Sequence, residues 1–379
     1  MTIGILGGGQ LGYMLALAGY PLDFHFRFLD PSPQAPVGRV ASRVTAEYTD
    51  FEALEKFAHG LALVTYEFEN VPVEALRFLQ KLVPVYPSAQ ALETAQDRRS
   101  EKLLFQKLGI PTTKSAVINS AGELHQTVKK IGLPAILKTC RLGYDGKGQW
   151  VLRTGEDVER VKNEIPSAPL ILEEFVKFSR ELSILAVRAR NGETAFYPLV
   201  ENHHRDGILR LSLAPAPRLT EALQREAEAA ARRVLESLDY VGVLAIELFE
   251  CNGRLLANEM APRVHNSGHW TIEGAVTSQF ENHLRAVSGL PPGDTGTLGF
   301  SAMLNLIGEL PDSNELLSVP GAHLHLYGKS LRSGRKVGHV TVRADSSEQL
   351  QQRLRQLPAF FQRPEFCLLD RFTNSAKWL

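Results

Sequence analysis

Residues 247–270 read ELFECNGRLLANEMAPRVHNSGHW, and the rest of the chain can be interpreted outward from this stretch. Two apolar runs end in carboxylates, the first at Glu247 and the second at Glu259. Between them lies Asn252-Gly253, a strong two-residue hairpin turn. The pattern predicts an antiparallel hairpin in which both glutamates lie toward the same end of neighbouring strands.

Paired carboxylates beside an amide form a set of hard oxygen ligands. Glu247 and Glu259, with Asn258 next to them, would suit a magnesium ion that holds a nucleotide phosphate. A solvated hairpin with surface glutamates is an alternative of equal weight at this point, because the sequence leaves the register of the strands open. The following run, 262–270, is dense in hydrogen-bond donors and too polar for a core strand.

Composition restricts the class of protein. A chain of 379 residues is longer than one hydrophobic core normally organises, so two or three domains are expected. Its 44% hydrophobic and 22% charged residues are typical of a globular protein in water. The 42 basic and 42 acidic residues balance, so no overall basic excess favours a nucleic-acid partner.

The cysteines and the apolar runs indicate the compartment. Cys140, Cys251 and Cys367 are far apart, so the sequence predicts neither a disulfide framework nor a zinc site, and reduced thiols are the simplest interpretation. The chain has no signal-peptide pattern at its start and no apolar run of about 18 residues. We therefore expect a cytoplasmic protein without a membrane partner.

The first thirty residues carry a glycine motif. An apolar strand, 2–6, precedes Gly7-Gly8-Gly9-Gln10-Leu11-Gly12, and a second strand ends at Asp30. This spacing matches the dinucleotide fingerprint and, on its own, predicts an NAD-dependent oxidoreductase. The same geometry suits any anion at a helix N-terminus, including a sugar phosphate, so both interpretations stay open.

The alternation of strands and helices over residues 1–95 predicts a parallel, doubly wound domain. Glu67, Glu69 and Asn70 follow the apolar strand 61–66. Sheets of this kind bind ligands at the carboxyl ends of their strands. These polar side chains are therefore candidates for ligand binding, with simple loop solvation as the alternative.

The middle of the chain contains a glycine-rich loop between two predicted strands. Residues 88–108 predict one long charged helix, and an apolar strand then ends at Lys138. Residues 142–151 read LGYDGKGQWV, which is not the P-loop pattern and is not followed by a helix. We predict a mobile flap whose backbone amides and Lys147 bind phosphates.

Two later segments are polar. Residues 201–207, with adjacent His203 and His204, predict a hydrogen-bonding turn rather than a zinc site. Antiparallel strands are predicted at 302–307, 323–327 and 337–342. The glycine-bounded loop 328–336 between the last two carries four basic residues. This loop would suit a phosphate monoester, with a solvated hairpin tip as the equal alternative.

The motifs GILGGGQLG, TYEFENVP, LGYDGKGQ, ENHHRDGIL, NEMAPRVHNSGHWT and YGK…GRKVGH occur in order between residues 3 and 340. Together they resemble the ATP-grasp superfamily and, within it, the N5-carboxyaminoimidazole ribonucleotide synthetase family of purine biosynthesis. The resemblance implies an ATP-grasp fold of α/β and α+β type. It would comprise an N-terminal doubly wound parallel-sheet domain (1–95), a central ATP-grasp domain (96–292) and a small C-terminal β-rich domain (293–379).

The resemblance also implies an activity. ATP would phosphorylate bicarbonate to carboxyphosphate, and 5-aminoimidazole ribonucleotide would be carboxylated on its exocyclic amine, with ADP and phosphate as products. ATP and Mg²⁺ are the expected cofactors, with Mn²⁺ as an alternative ion. The ribonucleotide and bicarbonate are the expected partners, and a homodimer is expected because members of the family are commonly dimers.

Site residues follow from the same resemblance. The implied catalytic residues are Lys138, Tyr144, Asp145, Arg263, His265 and Asn266. The implied ATP-binding residues are Arg98, Lys138, Gly143, Tyr144, Asp145, Gly146, Lys147, Gly148, Gln149, Glu173, Glu174, Phe175, Val176, Glu181, His204, Asn258 and Glu259. The implied substrate-binding residues are Gln10, Glu67, Asn70, Lys329, Arg335 and Lys336, and the implied metal ligands are Glu247 and Glu259.

The chain departs from the family pattern at three positions. Cys140 and Leu142 stand where Arg and Gly are more usual, and Tyr13 stands where Arg often occurs. The alternatives to this family are another ATP-grasp purine enzyme or carboxylase, the NAD-dependent oxidoreductase, and a non-catalytic nucleotide-binding module. Intact Glu247 and Glu259 argue against the last, because a binding relic tends to lose its metal ligands first.

Overall fold

The computed structural model describes residues 1–143, 148–162, 164–166 and 168–363. Within these ranges the strands form three sheets. The predicted flap residues Tyr144, Asp145, Gly146 and Lys147 lie outside the described part of the chain.

The N-terminal sheet is parallel, with the strand order β3-β2-β1-β4, as the alternation of strands and helices predicts. Its strand β1, TIGIL, is a nearly continuous apolar run, as expected where helices cover both faces of a parallel sheet. The strands are β1 (Thr2–Leu6), β2 (His25–Leu29), β3 (Ser42–Val44) and β4 (Leu63–Tyr66). The helices are α1 (Gln10–Gly19), α2 (Phe51–Ala58) and α3 (Val73–Leu79).

The single long helix predicted over 88–108 is wrong. The structure has two helices, α4 (Ala89–Gln96) and α5 (Arg98–Lys107). Asp97 interrupts them with an extended backbone, and its side chain caps α5 by accepting a hydrogen bond from the backbone N–H of Arg99. The break leaves Arg98 as the first residue of the second helix.

The second sheet is antiparallel, with the order β5-β8-β6-β7, and it buries its own small core against two helices. The predicted glycine-rich loop connects β6 to β7, which pair as a hairpin. The elements are β5 (Ser115–Ile118), α6 (Leu124–Ile131), β6 (Ala135–Thr139), β7 (Gln149–Leu152), α7 (Gly155–Lys162) and β8 (Leu170–Glu174).

The third sheet has nine antiparallel strands in the order β14-β13-β9-β11-β12-β15-β17-β16, with β10 paired to β9. The strands are β9 (Arg180–Arg188), β10 (Thr194–Phe196), β11 (Val200–Arg205), β12 (Ile208–Ala214), β13 (Gly242–Cys251), β14 (Arg254–Ala261), β15 (Phe300–Ile307), β16 (Ala322–Leu326) and β17 (Lys336–Ala344). The helices are α8 (Glu221–Ser237), α9 (Thr271–Gly274), α10 (Gln279–Ser288), α11 (Ser313–Leu317) and α12 (Ser347–Arg355).

This sheet has two consequences for the predicted organisation. The C-terminal strands continue the central sheet through the pairing of β12 with β15. One sheet therefore spans the predicted domain boundary between residues 292 and 293. The boundary itself stays a prediction. The polar turn predicted over 201–207 is wrong, because β11 extends to Arg205 and only Asp206-Gly207 turn, both at positive φ. His203 and His204 are therefore strand residues.

A common core joins the N-terminal and central parts. Leu15 of α1 and Phe26 of β2 belong to the same buried cluster as Leu284 of α10 and Val243 of β13. In the described ranges, no helix combines the length and apolar character that crossing a membrane would require. Cys140 and Cys251 are free thiols.

Candidate functional site

The hairpin of β13 and β14 has the predicted turn. Asn252 and Gly253 both have positive φ, 52° and 75°, as the tight turn between two twisted strands requires. The register pairs Glu247 directly with Glu259. The next pair is Leu248 with Ala257, so Asn258 is the extra residue of a β-bulge. The register, which the sequence left open, therefore places the two carboxylates opposite each other.

The two carboxylates differ in their electrostatic surroundings. Burial and the nearby Glu259 carboxylate raise the pKa of Glu247 to about 7. Burial would also raise the pKa of Glu259, but Arg98 and Lys138 lower it to about 2. Arg98 donates a hydrogen bond of 2.7 Å to Glu259 Oε2. The surrounding cations thus compensate one carboxylate, and a bound cation would stabilise the charged form of the other.

Asn258 supplies the observation that tests this site for a metal. Its Oδ1 is buried and, among the described residues, accepts no hydrogen bond. A buried acceptor without a partner costs about 1–3 kcal/mol, whereas a cation would satisfy it. The described residues contain no cluster of three or more His, Cys, Asp or Glu side chains suited to a metal. Two carboxylates and an amide therefore fit an ion that takes its other ligands from phosphate or water.

Buried lysines lie next to this site. Lys138 on β6 donates to Glu173 Oε2 on β8 at 2.8 Å, so two predicted ATP-binding residues form an ion pair. Lys102 Nζ lies 3.6 Å from Glu173 Oε1 and donates to the backbone carbonyl of Asn258 at 3.0 Å. Burial lowers the pKa of Lys102. Lys102 was not among the predicted site residues, although its position four residues after Arg98 places both side chains on one helix face.

Glu181 and His204 also come together. Glu181 on β9 and His204 on β11 form an ion pair of 2.6 Å between Oε2 and Nδ1. Burial alone would lower the pKa of His204, but the carboxylates of Glu181 and Glu247 raise it. This polar pair lies on the strands beside the hairpin, where both residues were predicted to bind a nucleotide.

Arg263 and His265 follow β14 directly. Arg263 donates to Oε2 of Glu69, one of the candidate residues of the N-terminal domain, at 2.6 Å. His265 Nε2 lies 3.6 Å from Glu247 Oε1. Burial, reinforced by the charges of Arg263 and Lys336, lowers the pKa of His265 to about 3. The imidazole is therefore neutral at physiological pH.

The side chain of Asn266 is held by the C-terminal strands. Its Nδ2 donates to Asn305 Oδ1 at 3.0 Å, and Asn305 Nδ2 donates back to Asn266 Oδ1 at 2.6 Å. Asn305, on β15, also donates to the carbonyl of Leu209 at 2.9 Å. These bonds fix the segment after β14 against the large sheet.

The glycine turn before α1 binds the chain's own carboxylates. Glu67 accepts hydrogen bonds from the backbone N–H groups of Gly9 at 2.8 Å and Gly12 at 3.2 Å. Asp30 accepts from the backbone N–H of Gly8 at 2.7 Å. A dinucleotide phosphate would need these same donors. The geometry thus contradicts the NAD-dependent interpretation, and it places Glu67 as the anion of the turn.

Gln10 and Lys329 meet although they are 319 positions apart in sequence. Lys329 donates to Gln10 Oε1, which joins α1 to the loop between β16 and β17. In the same loop, Arg335 donates to Ser330 Oγ at 2.7 Å. Lys336 begins β17, and its charge lowers the pKa of both His265 and Glu247.

The remaining predicted residues lie around the hairpin of β6 and β7 and after β8. Gly148 has φ 69°, and its carbonyl accepts from the backbone N–H of Thr139 at 2.9 Å, while Gln149 pairs with Lys138. Glu174 is exposed. Phe175 and Val176 are half-buried in the connection from β8 to β9.

A single cleft is lined by much of this site. Seven of the implied site residues line it, namely Asn70, Arg98, Gly143, Glu247, Glu259, Arg263 and His265, and so does the candidate Glu69. Glu101, which was not predicted, also lines the cleft. Glu101 accepts from the backbone N–H of Met260 at 2.5 Å, and burial together with Glu259 raises its pKa to about 8.

Three family models match the chain and define its class. An ATP-grasp domain matches residues 103–280 and a ribonucleotide synthetase preATP-grasp domain matches residues 1–96. A phosphoribosylaminoimidazole carboxylase C-terminal domain matches residues 301–353. The fold is therefore that of an ATP-grasp protein, and the carboxylate hairpin lies within the matched ATP-grasp region.

Individual relatives narrow this class. The N5-carboxyaminoimidazole ribonucleotide synthase of Pseudomonas aeruginosa is 54% identical over 96% of this chain and 100% of its own length. The crystal structure of N5-carboxyaminoimidazole ribonucleotide synthetase from Thermus thermophilus is 58% identical, with a TM-score of 0.90 over 100% of both chains. The Aspergillus clavatus synthase in complex with ADP and 5-aminoimidazole ribonucleotide is 32% identical, with a TM-score of 0.88 over 98% of both chains.

This chain belongs to the N5-carboxyaminoimidazole ribonucleotide synthase family. The resemblance inferred from the sequence motifs is confirmed, and so is the expected ATP-grasp fold with its parallel N-terminal sheet. The NAD-dependent oxidoreductase suggested by the first thirty residues is wrong, because Glu67 and Asp30 already take the glycine amides.

Proposed function

We propose that the protein carboxylates 5-aminoimidazole ribonucleotide to N5-carboxyaminoimidazole ribonucleotide, using ATP and bicarbonate, in purine biosynthesis. The observation that carries this proposal is the pairing of Glu247 with Glu259, next to the unpartnered Oδ1 of Asn258 and within reach of a cationic cluster. ADP and phosphate are the other products.

ATP would bind between the second and third sheets. Arg98 and Lys138 supply positive charge beside the carboxylate hairpin, which suits the phosphates. Glu181 with His204, and the segment Glu173–Val176, would bind the ribose and adenine. Gly143 to Gln149 would cover the phosphates as a flap. Structures of relatives in complex with ADP support nucleotide binding by this chain.

Glu247 and Glu259, with Asn258, would hold Mg²⁺, and Mn²⁺ suits the same oxygen ligands. When bound, the ion would neutralise charge as the γ-phosphoryl group is transferred. The protein's own contribution is the register that brings the two carboxylates together and the bulge that adds the amide.

The carboxylation would take place beside Arg263 and His265. Bicarbonate attacks the γ-phosphorus of ATP, and carboxyphosphate and ADP form. The exocyclic amine then bonds to the carboxyl carbon, the carbon–oxygen bond to phosphate breaks, and the amine loses a proton. Neutral His265 and cationic Arg263 would bind the carboxyl oxygens, and Asn266 would orient this segment. Tyr144 and Asp145 would face bicarbonate and the imidazole.

The ribonucleotide would lie between α1 and the loop 328–336. Gln10 and Lys329 already contact each other, and Arg335 and Lys336 add positive charge for its phosphate. Asn70 lines the cleft, whereas Glu67 would act by holding the glycine turn that presents Gln10. A homodimer in the cytoplasm, and the domain limits 95 and 292, remain predictions.

The purified protein is expected to release phosphate from ATP when both bicarbonate and 5-aminoimidazole ribonucleotide are present. Phosphate release and ribonucleotide consumption are measured together, with each substrate omitted in turn and with NAD added to a parallel sample. Phosphate release that does not depend on the ribonucleotide, or reduction of NAD without ATP turnover, would refute the proposal.

A further inference from the structure

A row of buried polar side chains runs from His265 along one face of the large sheet. Ser183 on β9 is paired directly with Glu247 on β13, and Asn202 on β11 is paired directly with Ser212 on β12. Directly paired residues point to the same face of a sheet. The side chains of Ser183, Asn202 and Ser212 are 0–3% exposed, so their hydrogen bonds are made within the protein.

Four of these residues form a continuous chain of hydrogen bonds, here named the polar relay: Ser212, Asn202, Ser183 and Ser267. Ser212 Oγ donates to Asn202 Oδ1 at 2.7 Å, and Asn202 Nδ2 donates to Ser183 Oγ at 2.9 Å. Ser183 Oγ donates to Ser267 Oγ at 2.8 Å. Ser267 Oγ lies 2.9 Å from His265 Nδ1, where the relay ends.

The relay has a direction. A serine hydroxyl has one hydrogen, so a hydroxyl that accepts from one neighbour can donate it to the next. The amide of Asn202 accepts from Ser212 and presents its N–H to Ser183, which sends the remaining hydroxyl hydrogens toward His265. The backbone N–H of Ser267 also donates to His265 Nδ1, at 3.3 Å. With two donors on Nδ1, the proton of the neutral ring belongs on Nε2.

We propose that the polar relay is a positioning device that holds His265 in the Nε2–H tautomer and aims this N–H into the carboxylation site. Nε2 is the ring atom that faces Glu247, at 3.6 Å from its Oε1. A neutral Nε2–H group there donates a hydrogen bond to a carboxyl oxygen of bicarbonate or carboxyphosphate. It has no lone pair with which to take up the amine proton, so His265 serves as a donor rather than as the base. This assignment rests on the proposed function.

The decisive variant is Asn202→Asp, which replaces the N–H donor by an acceptor of nearly the same shape. Ser183 then donates to the carboxylate, and Ser267 Oγ becomes free to accept from His265 Nδ1–H. Nitrogen-15 NMR of the full-length protein with labelled histidines reports the tautomer, and the spectrum of His265→Asn identifies the His265 signals. We expect Nε2–H in the wild type, a substantial Nδ1–H population in Asn202→Asp, and a fall in kcat on the order of ten- to a hundredfold.

Ser301→Ala is the matched control, because Ser301 is a fully buried strand serine whose hydroxyl has no partner among the described residues. It should keep both tautomer and kcat. If Asn202→Asp does not fold, Ser267→Ala replaces it; the backbone N–H of residue 267 still donates to Nδ1, so a smaller Nδ1–H population and a smaller fall in kcat are expected. A wild-type tautomer and a kcat equal to that of Ser301→Ala would overturn the relay. Absence of ribonucleotide-dependent turnover in the wild type would refute the function, whereas the NMR result still tests the relay.

Discussion

At the scale of single residues, Asn258 has a side-chain oxygen that destabilises the folded protein but suits the binding of a ligand. Its Oδ1 is buried, accepts no hydrogen bond within the described ranges, and lies beside Glu259 in a β-bulge. Such an atom weakens the folded state unless a ligand satisfies it. Burial also raises the pKa of Glu101 and of Glu247, so the charged form of each carboxylate is unfavourable in the folded protein. Functional sites characteristically carry such perturbed groups.

The variant Asn258→Ala should therefore lose function without losing stability. We expect the Mg²⁺ concentration for half-maximal activity to rise about tenfold, which corresponds to about 1.4 kcal/mol of lost ligand interaction. The free energy of unfolding without metal should stay equal or rise, because an unsatisfied buried acceptor is removed. Metal titrations and chemical denaturation measure the two effects.

Two further variants serve as the positive and negative controls of this experiment. Glu259→Gln removes a charge that faces the ion and should abolish turnover at any Mg²⁺ concentration while the protein stays folded. Asn314→Ala, at an exposed position on α11, should match the wild type. An unchanged Mg²⁺ requirement in Asn258→Ala would exclude this amide as a metal ligand.

At the scale of elements, the loop between β16 and β17 carries its basic residues in different environments. Arg335 donates to Ser330 within the loop, while Lys336 begins β17 and influences His265 and Glu247 electrostatically. Arg332 is exposed on the same loop. The basic residues are adjacent in sequence, but the start of β17 places Lys336 in a different environment from Arg332 and Arg335.

Removing the charge of Arg335 should weaken ribonucleotide binding selectively. We expect Arg335→Ala to raise the KM for the ribonucleotide on the order of ten- to a hundredfold and the KM for ATP much less, because a charge-assisted contact is lost. Steady-state kinetics with each substrate varied in turn measure the difference. Arg332→Ala is the control from the same loop and should leave both constants unchanged. Equal increases for the two substrates would contradict a role in phosphate recognition.

At the scale of the whole molecule, His283 on α10 ties the N-terminal sheet to the large sheet. Its Nε2 is 2.8 Å from Thr65 Oγ1 on β4, and its Nδ1 accepts from the backbone N–H of Val243 on β13 at 3.1 Å. Burial lowers the pKa of His283 to about 4. The folded protein therefore keeps this ring neutral under conditions in which an unfolded chain would protonate it.

Stability should accordingly depend on pH below neutrality. An unfolded histidine binds a proton below about pH 6.5, whereas folded His283 does so only near pH 4. Between these values the unfolded state binds more protons, so the free energy of unfolding falls with decreasing pH, by about 1.4 kcal/mol per pH unit for this group. Denaturation of His283→Gln across this range should show a smaller slope.

The exposed His25 provides the control, because His25→Gln should keep the wild-type slope. His269 and His339 are also buried, and burial lowers the pKa of each well below its usual range, so a residual slope is expected in His283→Gln. A slope in His283→Gln identical to that of the wild type would show that this contact does not govern the acid response.

The sequence by itself determined the features that depend on local chemistry. Asn252-Gly253 predicts its turn because few residues accept two consecutive positive φ values. The alternation of strands and helices over residues 1–95 predicts a parallel sheet because each helix carries the chain back to start the next strand in the same direction. The family motifs, read as a set, also identified the ATP-grasp family, whereas the flap at 142–151 stays a prediction.

Only the tertiary structure decided which of these residues meet. The pairing of Glu247 with Glu259, and the bulge that adds Asn258, depend on a register set by long-range strand packing. Glu67 accepts from the glycine turn, whereas Glu69 pairs with Arg263. The sequence does not reveal which of these two nearby carboxylates makes which contact. In the sequence, Lys102 is one of several charged residues of a helix. It is buried against Glu173 because the fold brings together segments that are far apart in the chain.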